Sequence, residues 1–197
     1  MLNIVIVFIL SFITLTGFAQ NNIESDSILK QGDFLEPIMV RDLKNNDHIT
    51  PLIGEKVVMI FYADPDTPDA NENFVKQVKQ WKFNLDEFKA YGIVNLKDSK
   101  YPNGIVRFMI RMIRKRSKRE ANALILTDPK GTVTKKWNTG DCNNSIGILL
   151  VDKTGEVLFW KAGELTEEET AFVIQQICDH TTNYKKLTSE ELKEFDL

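Results

Sequence analysis

Three carboxylates, Asp64, Asp66 and Asp69, and the amide of Asn71 fall within eight consecutive residues, in the stretch F-Y-A-D-P-D-T-P-D-A-N. Hard oxygen donors at this density are what Ca²⁺ or Mg²⁺ takes. The stretch has neither the glycine nor the distal glutamate of an EF-hand loop, so the spacing matches no established cation loop. The same residues also suit a plainer task. An Asp at an N-cap with an acidic residue three positions on satisfies the first free N–H groups of a helix and complements its dipole. Pro68 in the first turn sacrifices no hydrogen bond. Asp66 and Asp69 are therefore expected to cap a helix, with a divalent-cation site of Asp64, Asp66 and Asp69 as the alternative and no other cofactor expected.

Nucleophilic chemistry has few candidates. The chain has two cysteines, Cys142 and Cys178, and two histidines. Two thiols do not make a disulfide framework. Cys178 falls in a helical pattern, I-Q-Q-I-C-D-H, where simple burial explains it. Cys142 lies in the polar loop Asn138 to Ser145 and is the one candidate thiol nucleophile. His48 stands alone beside a turn, with no nucleophile near it to activate.

The strongest charge feature is I-V-R-F-M-I-R-M-I-R-K-R-S-K-R-E, which carries seven cations and one acid. At 100° per residue Arg107, Arg111, Arg114 and Lys118 share one face of a helix, and Phe108, Met109, Met112 and Ile113 another. Such a helix can meet an anionic surface or peripheral membrane through its basic face. The plainer expectation is a helix that packs its apolar face on the protein and leaves the basic face in water.

The elements that must position these groups follow from periodicity. Val57 to Tyr62 is a continuous apolar run with β-branched and aromatic members, the pattern of a strand covered on both faces. The acidic turn lies at its carboxyl end, where open α/β sheets place binding and catalytic groups. Phe74, Val78, Trp81, Leu85 and Phe88 are spaced as a helical stripe and predict one helix from Asp69 to about Lys89, with Trp81 in the core. Tyr91 to Asp98 reads as the next strand, completing a parallel crossover. Ala123 to Thr127 is another strand, with Thr132 to Trp137 expected to extend it after a turn at Asp128 to Gly131. Ile146 to Val151 and Glu156 to Lys161 form a hairpin about Asp152 to Gly155. A last helix should start with Thr166 as N-cap and Glu169 closing a capping box. Upstream, Phe34 to Leu43 and His48 to Leu52 read as a hairpin.

The chain of 197 residues suits one domain, and its 43% apolar and 27% charged residues are ordinary for a globular protein. A formal charge of −3 gives no overall attraction to nucleic acid, which is not expected as a partner. Residues 1–19 have an apolar run followed by Gly17 and Ala19 as a cleavage signal requires, so they read as a signal peptide and the protein as exported or periplasmic. Residues 20–33 read as a flexible lead-in, 34–184 as the folded domain and 185–197 as a charged tail.

Strand, helix, strand, helix, hairpin, helix is the thioredoxin order, and F-Y-A-D-P-D-T-P-D resembles the segment that carries Cys-x-Pro-Cys in that fold. The two cysteines then fall on Asp66 and Asp69, with Pro68 kept between them. The position of the fold's cis-proline falls on Gly147. The blocks G-I-V-N-L-K-D-S, L-T-D-P-K-G-T-V-T-K-K-W and L-L-V-D-K-T-G-E-V-L-F-W-K-A-G-E-L-T-E-E-E resemble the YtfJ-like family of exported thioredoxin-fold proteins. The resemblance implies a thioredoxin-like α/β fold, with a central mixed sheet flanked by helices and an N-terminal β-hairpin extension. It also implies that both groups for thiol exchange are missing, since only a thiolate can form a mixed disulfide. The reading is then a non-redox binding or accessory protein for a protein or small-molecule partner. Its surface would comprise Asp64, Asp66, Thr67, Pro68, Asp69, Asn71, Ile146 and Gly147. A thiol enzyme using Cys142, and a cation-binding or membrane-surface protein, are the alternatives.

Overall fold

The computed structural model describes residues 28–67, 70–116 and 123–194. The signal-peptide reading, most of the lead-in, and Pro68, Asp69 and Lys118 lie outside them. A short hairpin of β1 (Met39–Arg41) and β2 (Asp47–Ile49) precedes β3 (Val57–Ala63), α1 (Glu72–Val78), β4 (Trp81–Lys82) and β5 (Phe88–Asn95). Next come α2 (Asn103–Arg116), β6 (Ile125–Asp128), α3 (Thr132–Trp137), β7 (Ile146–Val151), β8 (Val157–Ala162) and α4 (Glu167–Asp179). The described chain closes with β9 (Lys185–Lys186) and α5 (Ser189–Glu194).

Seven strands form one mixed sheet in the order β2-β1-β6-β5-β3-β7-β8, and β4 pairs with β9 in a second, two-stranded sheet. β3 is central: it pairs parallel with β5 along its whole length and antiparallel with β7. Its apolar run is buried on alternate faces. Val58, Ile60 and Tyr62 point into one core with Ile93, Leu126, Leu149 and Trp137. Val57 and Met59 point into the other with Phe74, Ile148, Leu150 and Ile177. This is the double burial that a continuous apolar strand predicts. The N-terminal hairpin lies at the sheet edge beside β6. The described part of the lead-in is docked: Leu29 is buried and its N–H donates to Asn138 O, while Gly32 N–H donates to Val157 O.

Three expectations are corrected. The single helix from Asp69 to Lys89 is instead the two-turn α1, followed by β4 and a turn. Leu85 is exposed and Phe88 opens β5. Trp81 is part-buried on β4, stacked on Phe83 at 6.3 Å and against Tyr184 at 6.1 Å. The 4-3-4-3 spacing thus joins residues of three different elements. Thr132 to Trp137 forms α3 and does not extend β6, because Asp128 turns the chain: its carboxylate accepts N–H groups from Thr132 and Val133, both at 2.8 Å. Finally, the N-cap of α1 is Asn71 in the left-handed region, not Asp66, and its side chain makes no cap bond.

The capping box of α4 is present as expected, with Glu169 N–H donating to Thr166 Oγ1 and Thr166 N–H to Glu169 Oε2. Lys161 Nζ donates to the same carboxylate at 2.6 Å, which holds the Glu169 carboxyl below its ordinary value of 4.5. A carboxyl whose pKa is lower folded than unfolded adds stability above the unfolded pKa and loses it as pH falls through the folded one. Glu169→Gln is therefore expected to lower the urea midpoint at pH 7 by an amount equivalent to about 0.5–1 kcal/mol. The gap to the parent should shrink as pH falls below about 4.5; a gap unchanged at pH 3 would remove the charge from the account.

Candidate functional site

The site is built where β3 ends. Asp64 is 1% exposed, and its N–H and both carboxylate oxygens each have a partner. Its N–H donates to Ser145 O at 3.0 Å, Oδ1 accepts Asp66 N–H at 2.8 Å and Oδ2 accepts Asn144 N–H at 2.6 Å. One carboxylate therefore fixes both the turn after β3 and the loop before β7. Asn71 does the same on the other side. Its Nδ2 donates to Gly163 O at 2.8 Å and Ile146 O at 3.4 Å, and its Oδ1 accepts Leu165 N–H at 2.8 Å. The left-handed φ of 64° at Asn71 aims the amide at that loop, a conformation Asn tolerates better than most residues. Ile146 and Gly147 stand opposite Ala63 and Tyr62 on β7.

The expected surface residues that lie among those described are thus brought together, but they divide by role. Asp64 and Asn71 are spent on holding backbone. Asp66 is not: its side chain is 4% exposed, Oδ2 accepts Lys100 N–H at 3.2 Å, and Oδ1 is buried with no hydrogen-bond partner. Thr67 Oγ1 and Ser145 Oγ are buried without partners as well. Ser145 ends the polar loop that the sequence placed before the hairpin, and its C=O, which accepts Asp64 N–H, brings it beside the turn. Trp160 was not legible as a site residue, because its place there comes from the β7–β8 pairing. A Cβ on Gly147 would lie 2.2 Å from its Cη2, so the indole ring covers the backbone at that position.

Of the expected cation site, Asp64 and Asp66 lie among the described residues and Asp69 does not; each Asp64 oxygen accepts one N–H group. Among the described residues no group of three or more His, Cys, Asp or Glu side chains is arranged to hold a metal ion. The two thiols lie in different cores: Cys142 packs with Tyr62 and Trp137, and Cys178 with Ile177 and Phe83. Both are free and buried, and burial raises the pKa of each above the ordinary thiol value. Cys142 Sγ sits 3.8 Å from Thr139 Oγ1 and Gly140 O, at the edge of an open polar cleft of 360 Å³ that also involves Asn95, Lys97 and Asp98.

The basic face of α2 is placed differently from the expectation. Arg107 is 7% exposed and points at the sheet, where Nε donates to Thr127 Oγ1 at 3.2 Å. Burial and the neighbouring Arg41 depress its pKa. Arg111 Nη1 donates to Leu43 O, and Arg114 is half-buried. The outward face carries Ile105, Phe108, Met109 and Ile113, each between 49% and 58% exposed.

Residues 43–180 match the family described as "Bacterial protein of unknown function (YtfJ_HI0045)". The chain belongs to this family. An uncharacterized protein of Haemophilus influenzae is 24% identical over 109 residues, covering 55% of this chain and 57% of that protein. The chain thus spans little more than half the length of that relative. Two solved structures share the thioredoxin-like fold. A candidate protein disulfide isomerase from Bacteroides thetaiotaomicron is 20% identical with a TM-score of 0.54, covering 79% of this chain and 92% of that one. A candidate thioredoxin from Neisseria meningitidis is 16% identical with a TM-score of 0.53, covering 79% and 94%. At these identities the likeness is one of fold, and activity has to be argued from the site.

The division of roles at the end of β3 has a measurable consequence. Asp64→Ala leaves the N–H groups of Asp66 and Asn144 without acceptors and is expected to cost about 1–3 kcal/mol by urea unfolding. Asp66→Ala removes a carboxylate with one unsatisfied oxygen and should cost clearly less. Equal losses at the two positions would mean that Asp66 is as structural as Asp64.

Proposed function

We propose that this is an exported thioredoxin-fold protein without thiol–disulfide exchange activity, which binds a protein or small-molecule partner at the surface around Asp66, Thr67 and Ser145. The observation that carries the reading is the buried, unpartnered Oδ1 of Asp66, flanked in the chain and across the β3–β7 junction by two unpartnered hydroxyls. Buried polar atoms are almost always paired, so three spare ones in one junction are a reserve for a ligand. Carboxylate and hydroxyl oxygens accept hydrogen bonds, so the ligand that suits them presents N–H or O–H donors.

The turn that holds the redox pair in thioredoxins carries Asp66-Thr67-Pro68-Asp69 in this chain, and a carboxylate cannot attack a disulfide. The thiol reading through Cys142 has less support. That thiol is buried and its pKa raised, whereas a reactive cysteine needs exposure and a lowered pKa.

Insulin reduction and thiol titration test the reading directly. The protein is expected to give no turnover above the uncatalysed rate. Both thiols should resist a thiol reagent in native buffer and react in denaturant. Turnover abolished by Cys142→Ser would overturn the proposal in favour of a thiol enzyme. A melting temperature raised by Ca²⁺ or Mg²⁺ and insensitive to Asp64→Asn would instead assign the turn to a cation.

A further inference from the structure

The outward face of α2 is apolar in a way its position does not require. Ile105, Phe108, Met109 and Ile113 recur at helical spacing and are about half exposed, with Met112 half-buried among them. Tyr101, just before the helix, is 55% exposed. The inward face is filled by Val106 and by Arg107 and Arg111, whose guanidinium groups are tied to Thr127 and Leu43. The helix has therefore turned its apolar stripe to solvent and two of its cations to the sheet. At 100° per residue Lys115 lies beside the outward stripe and Arg116 continues its line at the carboxyl end, and both are exposed. The sequence contains no Asp or Glu between Asp98 and Glu120.

We propose that α2 is an interfacial anchor that lies in the plane of an anionic phospholipid bilayer, with Ile105, Phe108, Met109 and Ile113 among the acyl chains and Lys115 and Arg116 at the headgroups. The surface is separate from the junction at the end of β3, and the proposal does not depend on any partner bound there. Two arguments select the occupant. The first is area. A helix of 14 residues is about 21 Å long and about 10 Å wide, so its face offers roughly 200 Å². A stable protein interface takes about 800 Å² per partner; a bilayer needs no matching surface and accepts a single helix face. The second is charge. A second copy docked antiparallel on the same face would bring Lys115 and Arg116 towards the exposed Lys100 of its mate, and like charges across an interface are costly. An anionic headgroup layer attracts every one of them. Tyr101 is of the type that sits with its ring among acyl chains and its hydroxyl in water.

A site-specific probe separates α2 from any contribution of residues 1–19. Met109→Cys, labelled with an environment-sensitive fluorophore, is mixed as the full chain with vesicles of phosphatidylcholine alone or of phosphatidylcholine with phosphatidylglycerol. The native thiols are buried and should not take the label. The expected result is a blue shift and intensity gain with the anionic vesicles only, weakened by salt, and absent for a label at Leu85→Cys, on the turn at the amino end of β3. Adding Lys115→Glu and Arg116→Glu should weaken the anionic-vesicle response at least tenfold, with the circular dichroism unchanged. Phe108→Ser with Ile113→Ser should abolish it. An equal response to both vesicle types, no response to either, or a shift that appears on concentrating the protein without lipid would overturn the proposal; the last would assign the face to a second copy.

Discussion

β3 has neighbours on both sides and cores on both faces, so its backbone and every side chain from Val57 to Ile60 are withdrawn from water. A strand held this way cannot end gradually; its chain must leave the sheet at one residue. Asp64 is that residue, and its buried carboxylate replaces water for two backbone N–H groups on separate segments. Asp128 performs the same service at the end of the parallel β6, where it starts α3 and accepts the Tyr62 hydroxyl at 3.2 Å. Burial and that carboxylate together push the Tyr62 pKa upward, so the phenol stays a donor. The carboxyl edge of the sheet is thus ordered by two buried aspartates at the ends of the parallel strands on either side of β5. The loops there can carry function because the scaffold under them is already fixed.

How much of this was legible depends on the range of the interaction responsible. β3, the β7–β8 hairpin and the Thr166–Glu169 box are written in neighbouring residues, and each lies where the sequence puts it. The helix through Trp81 and Leu85 failed because its spacing is also that of a short helix, a strand and a turn. What decides between them is the pairing of Trp81 with Lys186 and of Lys82 with Lys185, over a hundred residues away. No window on the sequence contains that pairing. Thr132 to Trp137 failed for a local reason that could have been read: D-P-K-G-T places an Asp to receive the first N–H groups of a helix. At the end of β3, Asp64 and Asn71 both hold backbone, which their residue types alone do not reveal. A carboxylate that ties two loops and one with an unpaired oxygen look alike until the hydrogen bonds are counted.

The inverted helix α2 shows the same limit in another form. Periodicity locates a stripe without saying which stripe faces inward, since both faces here have side chains that can be buried. Arg107 can go in because its long stem packs as an aliphatic chain and its charged end finds the hydroxyl of Thr127. Its Nη2 is left buried with no partner, a cost of about 1–3 kcal/mol by the usual reckoning for an unsatisfied group. Turning the helix by half a revolution would bury Phe108, Met109 and Ile113 and return the arginines to water. The retained arrangement therefore sets a desolvated cation and an exposed apolar stripe against a simpler packing of the same residues.

Asp66 presents a comparable opposition at the other surface. A carboxylate with one oxygen buried and unpaired contributes less to the fold than one whose oxygens are both paired. Lys100 offsets this weakly, since its ammonium lies 3.9 Å away and is largely in water. Stability of this kind is characteristically given up where a group has to be kept ready for something outside the chain. Among the described residues, the buried charged side chains with an unpartnered atom are Asp66, at the end of β3, and Arg107, on the inward side of α2 from its apolar face. The two sulfhydryls of the chain lie in the cores on opposite sides of the sheet. What is left unsatisfied among the described residues is oxygen acceptors at the end of β3 and exposed hydrocarbon on α2.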